Sequence, residues 1–329
     1  MKKALALAIM ALGISTYAHA QEGIDSVFVD VRGTYAMDIT SGVYSSRMRC
    51  DYFNVHMYGH LTDNISYRIR QRMNVPIDSS NPFRATDWLS LKWAATPKWN
   101  FSVGKGAILI GGYEYDAAPI DVYFYSKFCS SLQQCFGFNV SASHSFAPGQ
   151  AFTFQVCNSP LQASFQDIYA YNLAWEGHFA PWWKTIWSVN MVEDPLHRMI
   201  NYIALGNHWV FGGVALDLDV MNRAAFGQQQ FFGSDYTVIS KFIWSIGRWN
   251  LCGKVGYEKN SSANVDANGI SYDTVITAGT EYLYGGVGVE YFPLPSDRIR
   301  FHTTYFRDSH DDRHNIEFGI KWRFDVWKK

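Results

Sequence analysis

The stretch FNVHMYGHLTDNISYRIRQRMNV, residues 53–75, decides the fold, because both of its arms alternate apolar and polar side chains around a turn at Thr62-Asp63-Asn64. That is the pattern of a β-hairpin. In the first arm Phe53, Val55, Met57, Gly59 and Leu61 share one face, and Asn54, His56, Tyr58 and His60 the other. In the second arm Ile65, Tyr67 and Ile69 oppose Ser66, Arg68, Arg70 and Arg72. Three arginines along one strand face cannot enter an apolar core, since a buried unpaired guanidinium costs several kcal/mol or more. One side of the hairpin is therefore apolar and the other wet and cationic, as in a membrane barrel with a polar interior.

Working outward, the chain opens with MKKALALAIMALGISTYAHA: two lysines, an apolar run and a small-residue end at Ala18-His19-Ala20. This reads as a signal peptide over 1–20, cut before Gln21, leaving one unit over 21–329. After it, no run of 18 apolar residues follows and the mean hydropathy is −0.14, which excludes helical spans but not strands. Aromatic residues reach 17%, well suited to interfacial girdles. The net charge of −1 gives no sign of a nucleic-acid partner.

Alternation yields sixteen segments, from 26–35 and 47–61 through 199–206 and 209–221 to 313–326. Starting after the second segment, every other connection is tight, among them Ala-Thr-Pro-Lys, Phe-Ala-Pro-Trp, Gly206-Asn207-His208 and Gly-Arg-Trp-Asn. The alternate ones are mostly longer and polar, such as 75–86, 106–133, 222–234 and 259–281. Short periplasmic turns and long outer loops are the habit of outer-membrane barrels. Trp99, Trp182, Trp183, Trp209, Trp249 and Trp327 gather at the short-turn end, as a girdle requires. The last segment puts Ile316, Phe318, Ile320, Trp322, Phe324 and Val326 on the lipid side and fits a closing strand paired with the first. The expectation is an all-β, transmembrane antiparallel β-barrel of about 16 strands.

Such a barrel is wide enough for a water-filled channel. Its interior balance of charge is mildly cationic, and the row Arg68, Arg70, Arg72, rising about 7 Å per pair of residues, offers successive planar donors to anions. The alternative is that these arginines pair with acids and brace the wall. The loop 106–133 is too apolar and aromatic to lie in water, so it is expected to fold inward as a constriction, with Asp121, Tyr123, Tyr125 and Lys127 near the narrowest point; a surface-packed lid is the alternative. Of five cysteines, Cys129 and Cys135 are spaced to close a small disulfide loop or to stay free.

Two stretches resemble the phosphate-selective porin O and P family: VGKGAILIGGYEYDAAPIDVYFYSK (103–127) and GVGVEYFPLPSDRIRFHTTYFR (286–307), the latter with Glu290-Tyr291-Phe292-Pro293 and Arg300 in place. The resemblance implies a sixteen-stranded outer-membrane porin, often a homotrimer, in bacterial outer-membrane lipid. It implies an arginine ladder, carried here by Arg68, Arg70 and Arg72 with Arg32 and Arg300 in the lumen, and a loop lysine, carried by Lys127. Small inorganic or organic anions such as phosphate or pyrophosphate are the implied solutes. A non-selective general porin is the nearest alternative, and an outer-membrane hydrolase or adhesin a further one. No cofactor, metal-binding or nucleophile motif appears. Ser141 and His144, three apart in one strand, fall on opposite faces and form no local dyad.

Overall fold

The computed structural model describes residues 23–76, 81–163 and 167–329; the expected leader at 1–20 lies outside them. The strands are β1 Ile24–Thr40, β2 Val43–Thr62, β3 Ile65–Arg72, β4 Thr86–Ala94, β5 Trp99–Ala107, β6 Phe136–Ala147, β7 Gln150–Asn158 and β8 Tyr169–Ala180, followed by β9 Trp183–Glu193, β10 Met199–Phe211, β11 Val214–Ala225, β12 Asp235–Ile246, β13 Trp249–Asn260, β14 Glu281–Tyr291, β15 Ile299–Asp308 and β16 Arg313–Lys328. Each pairs antiparallel with its neighbours, and β16 closes on β1. Closure leaves no unpaired strand edge in the sheet.

The wall is inverted relative to a globular core. Asn54, His56, Asn172, Asn190 and Glu258 are buried, whereas Leu91, Val103, Phe154, Val189, Val255 and Val287 are exposed. Period-two alternation produces this directly, with polar side chains inside and apolar ones on the outer face. Trp99, Trp182 and Trp249 stand exposed at the short-turn end, where Trp182 packs on Phe211, Trp183 on Trp209 and Trp249 on Tyr291.

Two local readings change. The Gly206-Asn207-His208 turn is not a turn: β10 continues to Phe211 and reverses at Gly212-Gly213. Gly206 is needed for another reason, because a Cβ there would lie 2.7 Å from the Cα of Gly112 in the inward loop. The second change is in β1 and β2, which extend to a tight turn at Ser41-Gly42. Arg32 opposes Tyr52 while Gly33 opposes Cys50, so Asp51 is the extra residue of a β-bulge. The bulge resets the alternation and brings Asp51 to Arg32 at 3.3 Å.

The segment between β5 and β6 enters the barrel, as its composition predicts. It carries α1 (Tyr113–Asp116), a 3₁₀ turn (Pro119–Asp121) and α2 (Lys127–Ser131). Ile108, Ile110, Phe128 and Leu132 pack against inward-facing Val192, Ile200, Tyr202, Ala204 and Met221 of β9–β11, with Val275 and Ile276 from the 261–280 connection. Apolar residues at lumen positions of β9–β11 thus form the seat of the loop.

Candidate functional site: the lumen and its inward loop

The inward loop is tied to the wall almost all the way round. At its start, Leu109 N–H donates to Gln155 Oε1 (2.7 Å), Asn190 Nδ2 to Leu109 O (2.6 Å) and Gly111 N–H to Ser188 Oγ (2.8 Å). At α1, both oxygens of Asp219 accept, from the N–H groups of Tyr113 and Glu114, each at 2.8 Å. At α2, Glu258 accepts from the N–H groups of Lys127 (2.7 Å) and Phe128 (3.0 Å). Lys254 reaches Glu114 at 2.5 Å and donates to Phe124 O. Charge-assisted bonds of this kind contribute about 1.5–3 kcal/mol each when buried.

On the β14–β16 and β1 side the loop meets its cations. Asp121 lies between Arg300 (2.8 Å) and Lys321 (2.6 Å). Arg32 donates from Nη1 to the carbonyls of Ile120 and Val122, both at 2.9 Å. Tyr123 donates to Glu290 (2.6 Å), and its ring lies over His302, between the guanidinium groups of Arg32 and Arg300. Burial raises the Asp121 carboxyl, but Lys321 and Arg300 outweigh it and hold the group below its ordinary 3.8. Glu114 is held below its ordinary value against burial in the same way, by Lys254 and Ser126.

The expected site residues therefore separate into two groups. Arg32, Arg300, Asp121 and Tyr123 fasten the loop. Tyr125 packs onto the apolar cluster with its hydroxyl toward Pro119 O at 3.4 Å. Lys127 lines a cavity of about 530 Å³ with Ser130, Thr274, Thr277 and His310, away from the arginine row. All five cysteines are free thiols, so the 129–135 disulfide is not formed; Cys129 is buried in the apolar cluster and Cys135 packs at its edge. Burial pushes the Cys135 thiol up to about 11, which leaves it unreactive near neutrality.

Arg68, Arg70 and Arg72 do stand in a row on β3, facing the lumen. Arg68 lines a cavity of about 350 Å³ at the short-turn end, together with Tyr58, Trp88 and Lys92. Arg72 lines one of about 580 Å³ toward the long-loop side, with Arg84, Asp87 and Lys105. Arg70 stands between them, over the Phe136 ring. Asp87, which alternation had not singled out, pairs with Arg70 at 3.0 Å and with Arg72 at 3.1 Å. Arg68 has no carboxylate partner among the described residues; it lies over the rings of Trp88 (3.8 Å) and Tyr58 (5.4 Å). Bracing and an open row thus coexist on one strand.

The opposite side of the lumen is acid-rich. A cavity of about 300 Å³ beneath the loop is lined by Glu114, Asp121, Asp217, Asp219, Glu290 and Asp297 against Lys241, Lys254, Arg300 and Lys321. Most of these charges are consumed in fastening the loop. The histidines are dispersed: His60 pairs with Asp25, His56 with Asp30 at 3.1 Å, His208 with Asp217 at 2.5 Å, and His144 packs on Trp99 on the outer face. Ser141 opposes Ser102 and the lumenal Gln155, which confirms that it and His144 face opposite ways.

No family model and no curated protein sequence matches the chain. Solved structures do. OmpT, an outer membrane protein of Vibrio cholerae, in its trimer form, superposes with a TM-score of 0.61 at 10% identity, over 92% of this chain and all of that one. Pseudomonas aeruginosa OprD gives 0.55 at 8% identity, over 94% and 98% of the two chains. A variant porin of Rh. blastica gives 0.54 at 10%, over 91% and 100%. The fold is the closed sixteen-stranded barrel of outer-membrane porins.

Proposed function

We propose that this chain is an outer-membrane porin through which small anions diffuse passively, and that they pass along the β2–β6 sector of the lumen. The observation that carries this reading is the division of the interior. The inward loop is fastened over β7–β16 and β1, whereas the arginine row has a cavity at each end. Among the described residues, those around the cavities carry an excess of positive charge: Arg68 and Lys92 against Asp25 at one, Arg72 and Arg84 against Asp87 at the other. A water-filled path with cationic walls concentrates anions and lowers their barrier to entry. The porin fold of the structural neighbours supports this role, and the resemblance of residues 103–127 and 286–307 to phosphate-selective porins makes phosphate or pyrophosphate the first solutes to try. Insertion into outer-membrane lipid and assembly as a homotrimer belong to the same proposal.

A second reading, a barely selective general porin, is favoured by Asp87, which pairs with both Arg70 and Arg72 and cancels one of their two charges. Reversal potential across a planar bilayer under a potassium chloride gradient separates the two. Anion preference that falls in Arg68→Gln supports the arginine path. A reversal potential near zero in the unaltered chain supports the general porin, and absence of channels from correctly folded protein overturns both.

A further inference from the structure

The cavity at the foot of the arginine row is more than a widening of a channel. Arg68 lies between two rings, its guanidinium carbon 3.8 Å from the Trp88 centroid and 5.4 Å from that of Tyr58. Trp88 in turn lies over Gly106, where a Cβ would come within 3.0 Å of the indole. The sandwich holds a flexible side chain flat, so little rotamer freedom is left to lose when its fork engages a ligand. Two donors here are buried and lack an acceptor among the described residues, Arg68 Nε and Trp88 Nε1. Among the described residues, Lys92 lines the same cavity without a carboxylate in ion-pair range, while the acid at the rim, Asp25, is engaged by His60.

Resting on the porin reading above, we propose that this cavity is a binding subsite for an organic anion, a carboxylate carried on a flat aromatic body. The carboxylate accepts from the Arg68 fork and from Lys92, and the body lies against the rings of Tyr58 and Trp88 in a space of about 350 Å³. That space falls within the range of small-molecule sites, and its aromatic lining offers contact area that a bare, fully hydrated inorganic anion does not use. A planar fork matches a carboxylate with two parallel hydrogen bonds.

The probes are benzoate, acetate and phosphate, added to the chain refolded in micelles and then inserted in a planar bilayer. Benzoate is expected to block current at roughly tenfold lower concentration than acetate or phosphate. Trp88→Leu is expected to bring benzoate to the level of acetate, Arg68→Gln to weaken both carboxylates, and Lys127→Gln, in a different cavity, to change neither. Equal block by benzoate and acetate, or a benzoate block untouched by Trp88→Leu, overturns the subsite while leaving the porin intact. Calorimetric titration of benzoate into the micelle-folded chain reads the subsite even without conduction. Binding there without channels sinks the porin reading alone, and no heat from a folded barrel sinks the subsite.

Discussion

Arg223 has no exposed surface, yet it carries a full charge inside a barrel wall. It is satisfied by Asp235 (2.6 Å) on β12, Asp273 (2.7 Å) in the 261–280 connection and the Thr237 hydroxyl (2.7 Å). Removing one partner from such a cluster leaves charges that cannot be hydrated. Arg223→Met is expected to destabilise the barrel by about 3–5 kcal/mol, read from the urea midpoint of refolded protein. The cluster was not legible in sequence, because Asp273 lies 50 positions away in a loop and nothing in alternation says where a loop returns. Asp87 is a second such residue. As Asp87→Asn, it frees Arg70 and Arg72 of their shared counter-charge, so anion selectivity is expected to rise, seen as a larger reversal potential in a salt gradient. A fall in selectivity would show that the arginines act only as braces.

At the scale of elements, the inward loop depends on the backbone contact between Gly206 and Gly112. Gly206→Val places a branched side chain where Gly112 Cα already sits, which costs about 1–3 kcal/mol if the loop is to stay seated. The expected outcome is a displaced loop, with higher single-channel conductance and greater open-channel noise. The far end of the loop is fastened by Asp121, whose carboxyl is held below its ordinary 3.8. A depressed folded-state pKa means that the tether contributes fully above the unfolded value and is lost as pH falls through the folded one. Asp121→Asn should therefore melt below the unaltered chain at neutral pH, and the gap should close only as pH drops beneath 3.8. A gap that persists there would assign the effect to packing rather than charge. That this loop folds inward was legible in its apolar content, but its seat was not. The clue was present as Val192, Tyr202, Ala204 and Met221, apolar residues at lumen positions, and it acquires meaning only when the loop is seen against them.

For the whole molecule, wall and loop are separable in kind. The wall closes through sixteen backbone ladders that do not include the loop. Replacing 112–130 with a short Gly-Ser linker is expected to leave a closed barrel and to raise single-channel conductance by roughly twofold or more, since the interior of a sixteen-stranded barrel is wide without it. Loss of folding instead would make the apolar cluster between loop and β9–β11 a requirement for closure.

The sequence by itself determined the barrel, its sixteen strands, the closing pair of β16 with β1, the aromatic girdle and the inward loop. Each follows from local chemistry: strand side chains alternate with period two, lipid accepts only one face, and tryptophan prefers the interface. Only the tertiary structure decided which cations stay free. Arg68, Arg70 and Arg72 are alike in sequence, yet one lies between two rings and two share Asp87. Arg32 and Arg300, read with them as lumen cations, are fasteners of the loop. A charge in a lumen is fixed by what stands opposite it across the barrel or in a returning loop, and that distance in space leaves no periodic trace along the chain.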